Sequence, residues 1–137
     1  MQKVITDYSI HQYDKKTAMM VSKNISGTYP PSSIEMMREI EYTNYCLFKF
    51  APQLWLINLL NLKTVFSTKK IILDSKQGLS TLNFTKLKKV AYVIEENQTV
   101  IDFANTLFIE MVAPSERTMI KFSIFNTIKE AKVWLKG

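Results

Sequence analysis

Residues 69–96 have the sequence KKIILDSKQGLSTLNFTKLKKVAYVIEE, in which two short apolar runs each follow a pair of lysines and precede an acidic residue. The runs are 71–73 and 90–94, and both are unbroken, as is typical of strands covered on both faces in a parallel sheet. About fifteen residues separate them, which is enough for a short crossover helix and too many for a tight hairpin. The stretch therefore predicts a βαβ unit whose two strands are neighbours in the centre of a sheet.

The chain before this stretch predicts a hairpin and a helical region. Strands are expected at 8–13 and 17–25, because both segments are rich in aromatic and β-branched residues and a polar turn joins them. The segment 34–50 has a mixed pattern, in which the first residues suit a helix and 42–50 suits an extended run better, and the sequence leaves the boundaries of these elements open. Large apolar residues then recur at helical spacing and predict a core helix over 52–67.

The chain after the stretch predicts two more helices with a strand between them. Asn97 is a suitable cap for a helix that extends to about 111, and apolar residues alternate along a strand at 118–125. Thr127 and Glu130 have the spacing of a capping box and predict a short last helix. The predicted fold class is α/β, with an N-terminal β-hairpin followed by βαβαβα units and helices packed on a mixed, mostly parallel sheet.

Length and composition predict a single domain over residues 1–137. The 47% hydrophobic and 22% charged residues are ordinary for a globular chain. The most apolar window, 54–62, is too short to span a bilayer, and the first residues lack the pattern of a signal peptide. One cysteine, Cys46, permits no internal disulfide, so a cytoplasmic location is the expectation.

Charge is unevenly distributed along the chain. The window 63–89 contains seven lysines and one acidic residue, Asp74, so it accounts for the whole net charge of +6. Such a basic surface can attract nucleic acid, an anionic head group or an acidic protein, although no nucleic-acid-binding motif accompanies it. Nucleic acid is therefore an unlikely partner.

In a parallel sheet all strands begin at one edge and end at the other. Polar residues that precede strands and polar residues that follow them are therefore expected at opposite edges. The residues that precede strands form a candidate surface for an anionic partner: Lys69, Lys70, Lys88, Lys89 and Arg117. Ligands of open α/β sheets bind outside the carboxyl ends of strands. The candidate ligand edge is therefore formed by Asp74, Ser75, Gly78, Glu95 and Asn126.

Three segments resemble the STAS family, the anti-sigma-factor-antagonist-like domains, and in particular members that are similar to lipid-carrier folds. They are IILDS at 71–75, KKVAYVIEE at 88–96 and FSIFNTIKEAKVWL at 122–135. The resemblance implies a regulatory module that binds proteins, with a phosphorylatable serine in a D-S-x-G-L turn after a central strand. Asp74 and Ser75 are similar to that turn, with one additional residue before Gly78.

The sequence does not predict an enzyme. His11 and Cys46 are the single histidine and the single cysteine, and neither has neighbours that would build a metal site or a nucleophilic centre. Three isolated glycines form no phosphate-binding loop, so no cofactor is expected.

Three functions are compatible with the sequence. The first is a non-enzymatic STAS-like interaction or regulatory module with a protein partner. The second is a carrier or sensor of a lipophilic or anionic small molecule, suggested by the aromatic and methionine-rich core. The third is a basic nucleic-acid-binding domain. Exposed strand edges and apolar patches are also compatible with a homodimer.

Overall fold

A computed structural model describes residues 2–28, 32–61, 86–95 and 120–137. These residues form one sheet and two helices: β1 Gln2–Ile5, β2 Ser9–Asp14, β3 Met19–Asn24, α1 Ser33–Phe50, β4 Leu54–Asn58, β5 Lys89–Val93, β6 Lys121–Phe125 and α2 Ile128–Lys136. The strands lie in chain order across the sheet. β1, β2 and β3 pair antiparallel, whereas β3 to β6 pair parallel. The predicted α/β class with a mixed sheet is confirmed.

The N-terminal hairpin is confirmed and has one strand more than predicted. β2 and β3 pair with Tyr13 opposite Met20, and the turn between them contains a hydrogen bond of 2.9 Å from the Lys16 N–H to Asp14 Oδ1. The additional strand is β1, which pairs with the other edge of β2. β1 has only four residues and is mostly exposed. Its apolar and polar residues therefore alternate over too short a stretch to predict a strand.

The helix predicted over 52–67 is wrong at its start, because 54–58 is strand β4. This strand lies between β3 and β5, and the adjacent side chains of Trp55 and Leu56 are both buried, one on each face. A short run that is apolar in every position fits a helix or a strand covered on both faces equally well. Residues 62–67 lie outside the described residues.

The extended strand predicted at 42–50 is also wrong, because α1 continues through these residues to Phe50. Met36, Leu47 and Phe50 are buried on one side of this helix, which satisfies a helical repeat and not the two-residue repeat of a strand. Ser32 caps the first turn, where its hydroxyl oxygen accepts a 3.2 Å hydrogen bond from the Glu35 N–H. Aromatic residues thus occur in this helix despite their preference for strands.

The strand predicted at 90–94 is confirmed as β5, but its predicted neighbour is not the one observed. β5 pairs along one edge with β4 and along the other with β6. The pairing of this strand with 71–73 is therefore wrong, because both of its edges are occupied. Residues 71–73, the crossover that begins at Gly78 and the predicted helix at 97–111 lie outside the described residues.

The chain end follows the sequence prediction closely. β6 confirms the strand predicted at 118–125, within the bounds Lys121–Phe125. The capping box is formed, since Thr127 Oγ1 accepts a hydrogen bond of 3.2 Å from the Glu130 N–H at the start of α2.

The two helices lie on opposite faces of the sheet. On one face, α1 packs on a core that includes Met20, Trp55, Val90 and Tyr92. On the other face, Ala131 and Leu135 of α2 pack on Met19, Leu56, Ala91 and Val93. Every strand from β3 to β5 therefore buries side chains on both sides, which explains the unbroken apolar runs.

Candidate functional site

The amino edge of the sheet holds two of the predicted basic residues, which have different environments. Lys88 is exposed just before β5. Lys89 Nζ instead donates hydrogen bonds to the carbonyl oxygens of Trp134 at 2.9 Å and Gly137 at 3.1 Å. Lys89 therefore caps the carboxyl end of α2, where a positive charge is favourable. Lys69, Lys70 and Arg117 lie outside the described residues.

The carboxyl edge of the sheet brings two of the predicted ligand residues to neighbouring strand ends. The Ile94 N–H donates a 3.0 Å hydrogen bond to the Phe125 carbonyl oxygen, so the chain leaves β5 and β6 side by side. Glu95 and Asn126 follow directly, and both are exposed. Asp74, Ser75 and Gly78 lie outside the described residues, so the predicted edge is represented here by Glu95 and Asn126.

Two buried asparagines at the same edge hold loops. The Asn24 side chain accepts a hydrogen bond from the Gly27 N–H at 2.9 Å and donates one to the Thr28 carbonyl oxygen at 3.0 Å. Asn58 Oδ1 accepts a 3.0 Å hydrogen bond from the Leu60 N–H. Asparagine commonly closes turns in this way. These amides are therefore occupied by the backbone and serve the loops after β3 and β4.

A cleft of about 490 Å³ opens at the carboxyl edge, between the β1–β2 connection and α1. Two hydrogen bonds connect its walls. Thr6 Oγ1 donates to a Glu39 carboxylate oxygen at 2.8 Å, and the Tyr8 hydroxyl donates to the Glu35 carboxylate. The sequence does not predict this cleft, because the strand β1 that forms one wall is too short to be recognised from its pattern. The lining residues are Ile5, Thr6, Asp7, Tyr8, Glu35, Arg38, Glu39 and Tyr42.

The electrostatic character of the cleft is acidic. The hydrogen bond to Glu35 raises the pKa of Tyr8 to about 12, so its phenol stays protonated. Burial raises the pKa of Glu39, and the nearby Asp7 carboxylate adds to this effect, whereas the hydrogen bond from Thr6 opposes it. Three carboxyl groups face one arginine, which makes the cleft a poor fit for an anionic ligand. Within the described ranges, no group of three or more potential ligating side chains could hold a metal ion.

His11 lies in a buried polar cluster on the α1 side of the sheet. Its Nδ1 is 2.6 Å from Ser22 Oγ, and the Trp55 Nε1–H donates a 2.8 Å hydrogen bond to the same oxygen. The Ser22 hydroxyl is therefore the common partner of the indole and of Nδ1, whereas the buried Nε2 of His11 has no hydrogen-bond partner among the described residues. Burial lowers the pKa of His11 to about 4, so the ring is neutral at pH 7.

Cys46 has the properties of a core residue. It is fully buried on the inner side of α1, and burial raises the pKa of its thiol to about 11. A thiol is nucleophilic as its thiolate, so Cys46 is unreactive at neutral pH. The structure does not place it with His11 in a common hydrogen bond.

The outer side of α1 exposes large apolar side chains, opposite the side that packs on the sheet. Phe48 is 88% exposed, Ile34 73% and Tyr45 53%, and Met37 is exposed between them. These four residues define the outer face of α1. The signal was present in the sequence, because positions 34, 37, 45 and 48 share one side of a helix. It is lost when 42–50 is assigned to a strand, since alternate residues then point to opposite faces.

Comparison of the chain with protein-family models, with curated proteins and with solved structures gave no match. Among the described residues, neither helix combines the length and the apolar character needed to cross a membrane.

Proposed function

We propose that this chain is a non-enzymatic interaction module that binds another protein chain through the outer face of α1. The observation that carries the proposal is the exposure of Ile34, Met37, Tyr45 and Phe48 on one side of a helix. A surface helix normally presents polar residues to solvent and a single apolar stripe to its own core. α1 also exposes two apolar pairs, 34/37 and 45/48, on either side of Glu41, and clustered exposed apolar surface marks interaction sites.

The energetics of this face also favour a protein partner. Burying one large apolar side chain from water contributes about 1.5–3 kcal/mol. Tyrosine and other large aromatic side chains dominate the binding energy of many protein interfaces. Phe48 and Tyr45 are the two most exposed aromatic residues of α1 and lie one turn apart. They are therefore suited to anchor a partner.

The states of the two classical catalytic side chains support a role other than chemistry. His11 is neutral and buried against Ser22, and Cys46 is a buried neutral thiol. Cys46 packs on the inner side of α1, and His11 lies on the face of the sheet that α1 covers. The proposed role is also the one that the resemblance to the STAS family implies.

Two observations weigh against the other functions considered from the sequence. The cleft beside α1 is lined by carboxylates, which repel an anionic small molecule. Lys89, one of the residues expected to meet an anionic partner, is occupied by the carboxyl end of α2. On the outer face of α1, Lys49 lies over the Tyr45 ring at 5.6 Å, while Phe48 and Ile34 remain 88% and 73% exposed.

Site-specific photo-crosslinking in the producing cell tests the proposal. Phe48 is replaced by benzoylphenylalanine in one variant, and Val133, which is exposed on α2, is replaced in the control. We expect irradiation to give a discrete protein adduct from position 48 and none from position 133. Equal labelling at both positions, or no adduct at position 48, would overturn the proposal.

A further inference from the structure

The outer face of α1 is complementary to itself. We propose that its partner is a second copy of this chain, with the two α1 helices packed antiparallel about a two-fold axis at Glu41. This inference rests on the proposed function and specifies the partner. An isologous contact of this kind uses the same patch on both subunits and closes into a dimer.

The spacing of the apolar residues is symmetric about Glu41. Ile34 and Phe48 are each seven residues from it, and Met37 and Tyr45 are each four residues from it. In an antiparallel pair centred on Glu41, Ile34 of one copy therefore faces Phe48 of the other, and Met37 faces Tyr45. Each of the four contacts joins a large aromatic side chain to an aliphatic or thioether side chain, which packs well.

The exposed charges on the same side of the helix favour the antiparallel orientation. Arg38 is three residues from Glu41, which corresponds to about 4.5 Å along the axis. Helices pack with their axes about 8–10 Å apart, so Arg38 of one copy can reach Glu41 of the other, and symmetry repeats the pair. A parallel pair would place Arg38 on Arg38 as well as Glu41 on Glu41, whereas the antiparallel pair brings only Glu41 beside its own copy.

Arg38 also lines the cleft beside α1, whereas Glu41 does not. Both side chains are exposed, and neither forms an ion pair with another residue in the part of the chain that the structure describes. Two arginines beside the axis also offset the repulsion between the two Glu41 carboxylates. Two copies therefore bring two arginines and two glutamates, with no net charge, around the axis.

The area of the face is sufficient for a dimer of moderate affinity. A fully buried aromatic side chain covers about 150–250 Å². Covering the four apolar residues on each of two copies removes on the order of 1,000 Å² of surface from water, which is near the lower limit of a specific interface. We therefore expect association at micromolar concentrations.

Sedimentation equilibrium of the purified full chain tests the inference. The protein is measured between about 1 and 100 µM, because micromolar dimers dissociate in this range. The wild type is expected to be a monomer–dimer mixture. Arg38→Glu and Glu41→Arg should each raise the dimer Kd at least about tenfold, and the double variant should restore it to within a few-fold. Lys132→Glu, on the exposed side of α2, is the matched control and should leave the Kd unchanged.

Phe48→Ser provides a second route if a charge reversal disturbs folding, because Phe48 makes little contact with its own chain. It should convert the chain to a monomer with an unchanged circular dichroism spectrum. A wild-type monomer at 100 µM, or a double reversal no better than the single ones, would overturn the antiparallel dimer. A monomer whose position 48 crosslinks to a different protein refutes self-association alone, whereas the absence of any adduct refutes the proposed function as well.

Discussion

The ammonium group of Lys89 lies 5.1 Å from the centre of the Trp134 ring and donates a 2.9 Å hydrogen bond to the carbonyl oxygen of the same residue. This contact joins the first residue of β5 to the last turn of α2. It combines a cation–π contact with a cap for carbonyl groups that have no partner within the helix. The neighbouring Lys88 is exposed. Two adjacent lysines with the same predicted role thus have different functions in the fold.

Lys89→Ala should lower the free energy of unfolding by about 1–2 kcal/mol, because the helix end loses its cap and the indole loses its cation. Lys88→Ala is the matched control and should change it by less than about 0.5 kcal/mol. Urea unfolding followed by circular dichroism measures both variants. Equal losses for the two lysines would contradict the assignment of Lys89 to α2.

Ser22→Ala should lower the free energy of unfolding by about 2–3 kcal/mol. The change leaves the Trp55 N–H and His11 Nδ1 without their common partner in a buried site, and an unsatisfied buried polar group costs about 1–3 kcal/mol. Ser123→Ala, at a half-buried position of β6, is the control and should have a smaller effect. Denaturant midpoints at pH 7.5 compare the stabilities of the two variants with the wild type. An unchanged midpoint for Ser22→Ala would show that the cluster contributes no net stability.

The stability of the protein should fall as the pH decreases from about 6.5 to 4 because of His11. The pKa of the ring is 6.5 in its ordinary state and is lowered to about 4 in the folded protein, so in this range the unfolded chain binds a proton that the folded chain does not. The loss amounts to about 1.4 kcal/mol per pH unit and to about 3 kcal/mol at pH 4. Above about pH 7.5 the ring is neutral in both states and contributes almost no pH dependence.

His11→Gln separates this effect from the titration of the carboxyl groups. Urea unfolding of both proteins at pH 7, 6, 5 and 4.5 gives the difference in unfolding free energy at each pH. The wild type should lose stability relative to the variant as the pH falls. Parallel curves would mean that His11 accepts a proton in the folded state.

Ala51→Gly should increase the free energy of unfolding by about 0.5–1 kcal/mol. Ala51 ends α1 in the left-handed region, with φ 45° and ψ 55°, and its N–H donates a 3.0 Å hydrogen bond to the Leu47 carbonyl oxygen. This conformation is costly for alanine and suits glycine. The matched control is Ala131→Gly in the buried side of α2, which should lower stability by about 1 kcal/mol. A loss of stability in Ala51→Gly would contradict the helix end described here.

The elements that were predicted correctly have local sequence patterns, whereas β4 does not. The hairpin of β2 and β3, the strand at β5 and the capping box of Thr127 depend on residues that are close in sequence, so their patterns are local. The segment 54–58 is apolar at every position from 54 to 57, and its local pattern does not distinguish a helix from a strand. Its position between β3 and β5, which covers both of its faces, makes it β4.

The residues of the candidate site were also predicted only where local patterns place them. The sequence placed Glu95 and Asn126 after strands and therefore at one edge of the sheet, whereas the pairing of β5 with β6 comes from the structure. It did not identify the outer face of α1, because the four residues share a side only if 33–50 is one continuous helix.

By itself, the sequence determined the α/β class, the hairpin, the last strand and the last helix, since turn residues, caps and alternating patterns act over a few positions. Only the tertiary structure decided that 42–50 is helical, that β4 separates β3 from β5, and that Lys89 is occupied by α2 while Lys88 faces solvent. These features depend on which surfaces are covered by residues distant in sequence, and burial of both faces of a segment overrides its local preference.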